Sequence, residues 1–254
     1  MRWHVLALLA AAPLAAGELK PQTTEAFDKY IRQAEQRLDA RGNFLWADES
    51  PGRAGRMKQS GTVVEPFGTN PVTKVPGGLV HDWVGGAFLP GVSVTQAIAM
   101  VQDYGRHKDI YKPEVSDSRI LSRDGNHYRI FLRLVKKQVI TVTLATEHDV
   151  QYTQLSPARW RSVSRTTKIA EVEDAGKTSE REQPPGKGQG FLWKLNSYWR
   201  FEERDGGTWI ECEAISLTRD IPTGLGWIVE PIIRNLPKDS LENTLKATRA
   251  ALVK

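Results

Sequence analysis

From residue 117 to residue 218 the chain reads with a period of two, and from there to the C-terminus with a helical period. Tyr128, Ile130, Leu132 and Leu134 alternate with Arg129, Phe131 and Arg133, which gives that strand one buried and one wetter face. Strands are expected at 117–122, 127–135, 139–149 and 158–172, with Arg123-Asp124-Gly125-Asn126 as the hairpin turn between the first two. Two more, 191–201 and 208–218, flank the turn at Asp205-Gly206-Gly207. The tail places Leu236, Leu241, Leu245 and Leu252 at near-helical spacing. Pro231 and Pro237 interrupt it, so the clean helix is expected from about Lys238, with Asp239 or Ser240 near its cap. Such a helix is too apolar on one face to stand in water, so it must lie on the sheet. A broad antiparallel sheet under one long helix is a cup with a lid. Its apolar face can be filled by the protein or left open for a ligand.

Upstream the pattern is helical again. Phe27, Ile31, Ala34 and Leu38 predict an amphipathic helix over 24–41, with Thr23 or Thr24 as cap and Gly42 as stop. Residues 48–78 are rich in Gly, Pro and Thr and read as a weakly patterned connection or a small strand pair around 57–64. A strand is expected at 79–89 with a bulge or bend at Gly85-Gly86, stopped by Pro90-Gly91. Ser93 or Thr95 then caps a helix with Val94, Ile98 and Val101 on one side. Residues 173–190 form a polar loop, either a lip at a cavity mouth or a long hairpin connection.

Residues 1–17 read as a secretory signal: Arg2 and His4 start it, the run from Val5 to Ala12 carries no charge, and Pro13-Leu14-Ala15-Ala16-Gly17 offers small residues for cleavage. The expected location is therefore exported, periplasmic or secreted. Cys212 is the single cysteine, so no intrachain disulfide forms and stability rests on a packed core. The net charge of +5 is a mild basic excess, and nucleic acid is not an expected partner. Arg159, Arg161 and Arg165 share one strand face, read as solvated, with transient contact to a membrane surface as the alternative use.

The element order, together with Phe88-Leu89-Pro90-Gly91-Val92, Ser116-Asp117-Ser118-Arg119-Ile120-Leu121, Tyr198-Trp199-Arg200-Phe201-Glu202 and the Ile221-Pro222 helix start, resembles the START-like (SRPBCC) superfamily. That superfamily includes polyketide cyclase/dehydrase, lipid-transport and coenzyme-Q-binding proteins. The resemblance implies an α+β helix-grip fold over residues 79–254, a curved antiparallel sheet around a long C-terminal helix. Residues 18–78 form an N-terminal helical and irregular extension to it. It also implies a hydrophobic ligand held between sheet and last helix, although fold alone does not settle function.

Chemistry is sparse by comparison. The histidines His4, His81, His107, His127 and His148 show no short metal-ligand spacing, and no nucleophile elbow or phosphate-binding glycine loop is present, so no metal and no cofactor is expected. Cys212 reads as a small buried residue rather than a nucleophile. Glu211 and Glu213 share a face expected to meet solvent, and Glu202 is read the same way. The aromatic residues carry more weight. Trp193, Trp199 and Phe201 lie on one side of their strand, Trp160 and Trp227 can join them, and Cys212 and Ser216 provide a small floor. The reading is non-catalytic binding or transport of a lipid or other hydrophobic small molecule. The alternatives are a cyclase or hydrolase on the same fold, carried by His81, His127, His148 or Asp82, and a module that contacts a protein or membrane surface.

Overall fold

The computed structural model describes residues 18–137, 141–189, 191–220 and 226–253, with 226–234 described by backbone alone. The expected signal segment lies outside these residues. The first element is α1 (Pro21–Ala40), started by a proline in its first turn rather than by a threonine cap. Thr23 is instead buried, its hydroxyl donating to the Pro76 carbonyl at 2.6 Å. After a 3-10 turn (Trp46–Asp48) comes α2 (Arg53–Ser60), which takes Met57 into a helix where a strand was expected. Strands β1 (Thr62–Pro66) and β2 (Val72–Val75) both pair with β3 (Gly78–Pro90). Helix α3 (Val94–Gln102) follows, closed by a capping box in which Ser93 and Gln96 satisfy each other's backbone N–H. A 3-10 turn (Tyr104–Arg106) and α4 (His107–Ile110) lead to the long meander. The meander consists of β4 (Val115–Asp124), β5 (His127–Lys137), β6 (Thr141–Ser156), β7 (Arg159–Glu173), the short β8 (Arg181–Glu182), β9 (Lys194–Arg204) and β10 (Gly207–Arg219).

Among the described residues these strands form one ten-stranded antiparallel sheet in the order β1-β3-β10-β9-β7-β6-β5-β4, with β2 and β8 alongside. Helix α5 (Gly226–Leu252) closes it as one continuous helix that runs through both prolines. A proline inside a helix costs roughly 3 kcal/mol. Burial of Leu241 and Leu245 on the far side of Pro237 offsets that cost. The sheet, wrapped by α5 on one face, is the helix-grip architecture, and β1 and β2 show that residues before 79 contribute to the same sheet.

Two faces of the sheet are covered differently. On the inner face, Trp83, Ala87, Leu89, Ile98, Phe201, Ile210, Leu241 and Leu245 pack into one core between β3, β9, β10, α3 and α5. On the outer face, α1 sets Phe27, Ile31, Ala34 and Leu38 against Val80, Tyr198, Ile215 and Leu217. Gly85 and Gly86 sit between the two layers, and no register shift interrupts β3 there. They are places of close approach; of the bulge or bend that the sequence suggests, the bulge is absent. A Cβ on Gly85 would stand 2.8 Å from Leu245 Cδ1 on the inner side, and one on Gly86 would stand 2.9 Å from Met57 Cε on the outer side.

Candidate ligand cavity

The inner face is not fully filled. Away from the contact of Leu245 with Gly85, α5 and the sheet enclose a cavity of about 700 Å³. Its walls are set by alternation: the even residues Ile130, Leu132 and Leu134 of β5, Leu144 and Val150 of β6, and Cys212, Ala214 and Ser216 of β10 all project inward. From β9 come the odd residues Leu195, Ser197, Trp199 and Phe201, and Leu236, Pro237 and Leu241 of α5 form the roof. Trp199 and Phe201 stack with ring centroids 5.8 Å apart and planes 11° apart, which gives the cavity one aromatic wall.

At one end, the Tyr104 and Tyr152 hydroxyls lie 2.7 Å apart, and Tyr152 donates to the Val101 carbonyl at 3.3 Å. His107 Nε2 reaches the same carbonyl at 3.1 Å, and Tyr111 meets Thr248 of α5 at 3.1 Å. Burial holds the His107 imidazole down to about 4 and pushes the Tyr111 phenol up to about 12. His148, beside Thr146 at 3.0 Å, is likewise brought down to about 4 by burial, so both imidazoles are neutral at neutral pH. Burial first, then Glu211 and Glu213 behind the strand, raise the Cys212 thiol well above its ordinary value, which leaves it a poor nucleophile. At the other end, Lys136 of β5 pairs with Glu114 and donates to Ser240 of α5 at 2.6 Å, while Asn243 of α5 donates to Glu114 at 2.8 Å.

Of the residues expected to line a site, Trp199, Phe201, Cys212 and Ser216 border this cavity. Trp193 does not. It precedes β9, where the pleat has not begun, and turns outward into the core under α1. Trp160 is on the inner face opposite Phe201 but packs against the filled core instead of the cavity wall. The Trp227 side chain lies outside the described residues. The opposite wall, from Ile130 to Leu134 and from Tyr104 to Tyr111, was absent from the expected lining. The alternation of β5 already marked the first part of it, whereas nothing local in the sequence says that the α3–α4 segment folds over the sheet end.

Of the candidate catalytic groups, only His148 borders the cavity. His81 is buried against Thr218 at 3.0 Å, and His127 pairs with Asp149 at 2.7 Å. Asp82 belongs to the outer face, where it accepts from Tyr30 at 2.9 Å. Among the described residues no group of three His, Cys, Asp or Glu side chains could hold a metal ion.

The outer-face carboxylates also depart from expectation. Glu211 and Glu213 do not meet solvent; they are 3 % and 1 % exposed because α1 covers them. Arg37 grips Glu213 through two bonds of 2.6 and 3.0 Å, and Arg41 holds Glu211 at 2.8 Å while the Trp46 N–H donates to the same carboxylate. Glu202 is buried beside Arg159. The arginine row is not simply solvated either, since Arg161 pairs with Asp39 at 3.0 Å and Arg165 with Glu35, both on α1.

No family model matches the chain, and no curated protein matches it significantly. Solved structures with a similar course include a STAR-related lipid transfer protein fragment from Xanthomonas axonopodis, at 14% identity over 76% of this chain and 98% of that one, TM-score 0.45. The Zhui aromatase/cyclase from a Streptomyces species matches at 15% identity over 68% and 93%, TM-score 0.46. A protein from Thermus thermophilus matches at 12% over 69% and 96%, TM-score 0.46. The fold assignment rests on this chain's own sheet order and on the seat of α5 across it. By that architecture the chain has the helix-grip fold of START-like proteins.

Proposed function

We propose that this chain binds, without transforming it, a lipid or other hydrophobic small molecule in the cavity between the sheet and α5. With its expected signal segment, it would do so in the periplasm or outside the cell. The observation that supports this is the cavity itself, about 700 Å³ walled mainly by Leu, Ile, Val and aromatic side chains of a sheet that is otherwise closely packed. Affinity would come from apolar burial at about 25 cal/mol per Å², and the volume falls within the range usual for small-molecule sites. Trp199, Phe201, Cys212 and Ser216 are its proposed contacts. Native mass spectrometry of the mature protein, followed by organic extraction and lipid analysis, tests the reading. A stoichiometric hydrophobic passenger supports it. A protein that arrives empty and leaves a lipid panel unbound refutes it.

The second reading, a cyclase- or hydrolase-type enzyme, is favoured by one observation: His148 borders the cavity. An imidazole held down to about 4 is a weak base at neutral pH, which counts against it. A passenger whose mass changes on incubation with the protein, but not with the His148→Gln variant, would favour the enzyme.

A further inference from the structure

Resting on the binding reading above, the side chains inside the cavity narrow the class of ligand. Ser164 of β7 and Ser197 of β9 stand directly opposite each other, Ser197 faces Ala214 of β10, and Ser216 is the next inward residue on that strand. The three serines border the cavity. None of their hydroxyls hydrogen-bonds to another described residue, and none of their oxygens is sealed from the cavity. A hydroxyl left unmatched in an apolar wall is costly unless something in the cavity meets it. Directly opposed residues have Cβ atoms about 5 Å apart and diagonal ones about 7–8 Å, so Ser164 and Ser197 form a polar pair and Ser216, opposite Leu195, stands diagonally from Ser197 on the same inward face.

Charge is treated in the opposite way. Lys136 is paired with Glu114, and at the rim Lys112 meets Asp109 at 3.5 Å and Lys246 meets Glu242 at 2.5 Å. Arg219 donates to the Gln189 carbonyl at 3.1 Å. His107 and His148 are uncharged at neutral pH. Among the described residues the cavity therefore offers unmatched hydroxyls but no unmatched cation.

We infer that the cavity selects an uncharged apolar molecule bearing hydroxyl or carbonyl oxygens, with Ser164, Ser197 and Ser216 as the specificity-determining contacts. An anionic amphiphile such as a free fatty acid is disfavoured, because its carboxylate would enter without a partner. The test uses diphenylhexatriene, a fluorescent hydrocarbon with no hydrogen-bonding group, displaced by 1-dodecanol or by dodecanoate at pH 7.5. The expected result is that diphenylhexatriene binds and that dodecanol displaces it at about tenfold lower concentration than dodecanoate. In the Ser164→Ala/Ser197→Ala/Ser216→Ala protein, diphenylhexatriene binding should persist while dodecanol weakens about tenfold. Dodecanoate equal to or better than dodecanol, or an unchanged dodecanol affinity in the triple variant, overturns the inference and leaves the binding reading standing. Failure of diphenylhexatriene and both competitors to bind the wild-type protein overturns both.

Discussion

The strands β9 and β10 carry two faces built to opposite rules. Outward, Tyr198, Arg200, Glu211 and Glu213 are matched almost atom for atom by α1 and the turn after it: Tyr198 donates to Glu35 at 2.8 Å, and Arg200 donates to the Leu38 and Phe44 carbonyls at 2.5 and 2.7 Å. Inward, one residue along, Ser197, Trp199, Cys212 and Ala214 face space. Both faces are roofed by a helix. The difference lies in how each helix sits: α1 seats Phe27, Ile31, Ala34 and Leu38 against the sheet, whereas α5 touches down at Gly85 and bridges to β5 through Lys136, Ser240 and Glu114. The outer face is therefore closed by matched contacts while the inner face keeps the cavity to which binding is proposed, and substitutions on the two should separate stability from affinity.

The largest separation is expected at Arg37. Arg37→Ala leaves Glu213 buried without its cation, and removing one member of a buried pair costs about 3–5 kcal/mol. Urea unfolding should show that loss, with diphenylhexatriene affinity in the remaining folded protein unchanged. A loss below about 1 kcal/mol would mean that water reaches Glu213 and the outer seam is looser than its geometry.

pH should divide the faces as well. Burial, then the neighbouring Glu213, pushes the Asp82 carboxyl up to about 8, against weaker opposing effects of Tyr30 and Arg37. The folded chain thus holds a proton that the unfolded chain loses above the ordinary carboxylate value. The stabilisation is complete below pH 4 and is lost as pH rises to about 8. His107 and His148, held down to about 4, act in the reverse sense: their contribution is present above 6.5 and is lost as pH falls toward 4. Two histidines outweigh one aspartate on the acid side, so among these three groups stability peaks near pH 6.5 and declines above it. Asp82→Asn should flatten the alkaline decline, and His148→Gln should remove the acid one, since the remaining histidine then only cancels Asp82, read from urea midpoints between pH 4 and 8.5. An alkaline decline that survives Asp82→Asn would assign it to another group.

What could be read in advance follows the same division. Alternation along Tyr128–Leu134 gave the strands and their inward face, Asp124-Gly125-Asn126 gave the hairpin, and Ser93 gave a helix start, because each depends on neighbours in sequence. The burial of Glu211 could not be read, since its partner Arg41 lies 170 positions away and only the docking of α1 brings it there. Trp193 was misplaced for a related reason: parity holds only within a ladder, and β9 starts one residue later. The unbroken course of α5 through Pro237 likewise reflects packing of Leu241 and Leu245, which overrides local propensity.

The smallest effects on stability give the sharpest contrast, from a pair of nearby positions on opposite faces. Gly86 faces outward, and a Cβ there would stand 2.7 Å from the Ile210 carbonyl oxygen as well as against Met57. Gly86→Ala should cost about 1–3 kcal/mol by overpacking without altering affinity for the hydrocarbon probe. Ala214 faces inward and borders the cavity, so the extra atoms of Ala214→Leu enter empty volume. Filling a cavity with apolar atoms is neutral to stabilising, within about 0–2 kcal/mol, yet it occupies the place where a ligand meets the sheet between Ser197 and Ser216. Urea midpoints at or above wild type, with diphenylhexatriene affinity at least about tenfold weaker, is the expected pair of results. If Ala214→Leu instead destabilises the fold as Gly86→Ala does, the inner face is packed as tightly as the outer one, and the division between the two faces fails.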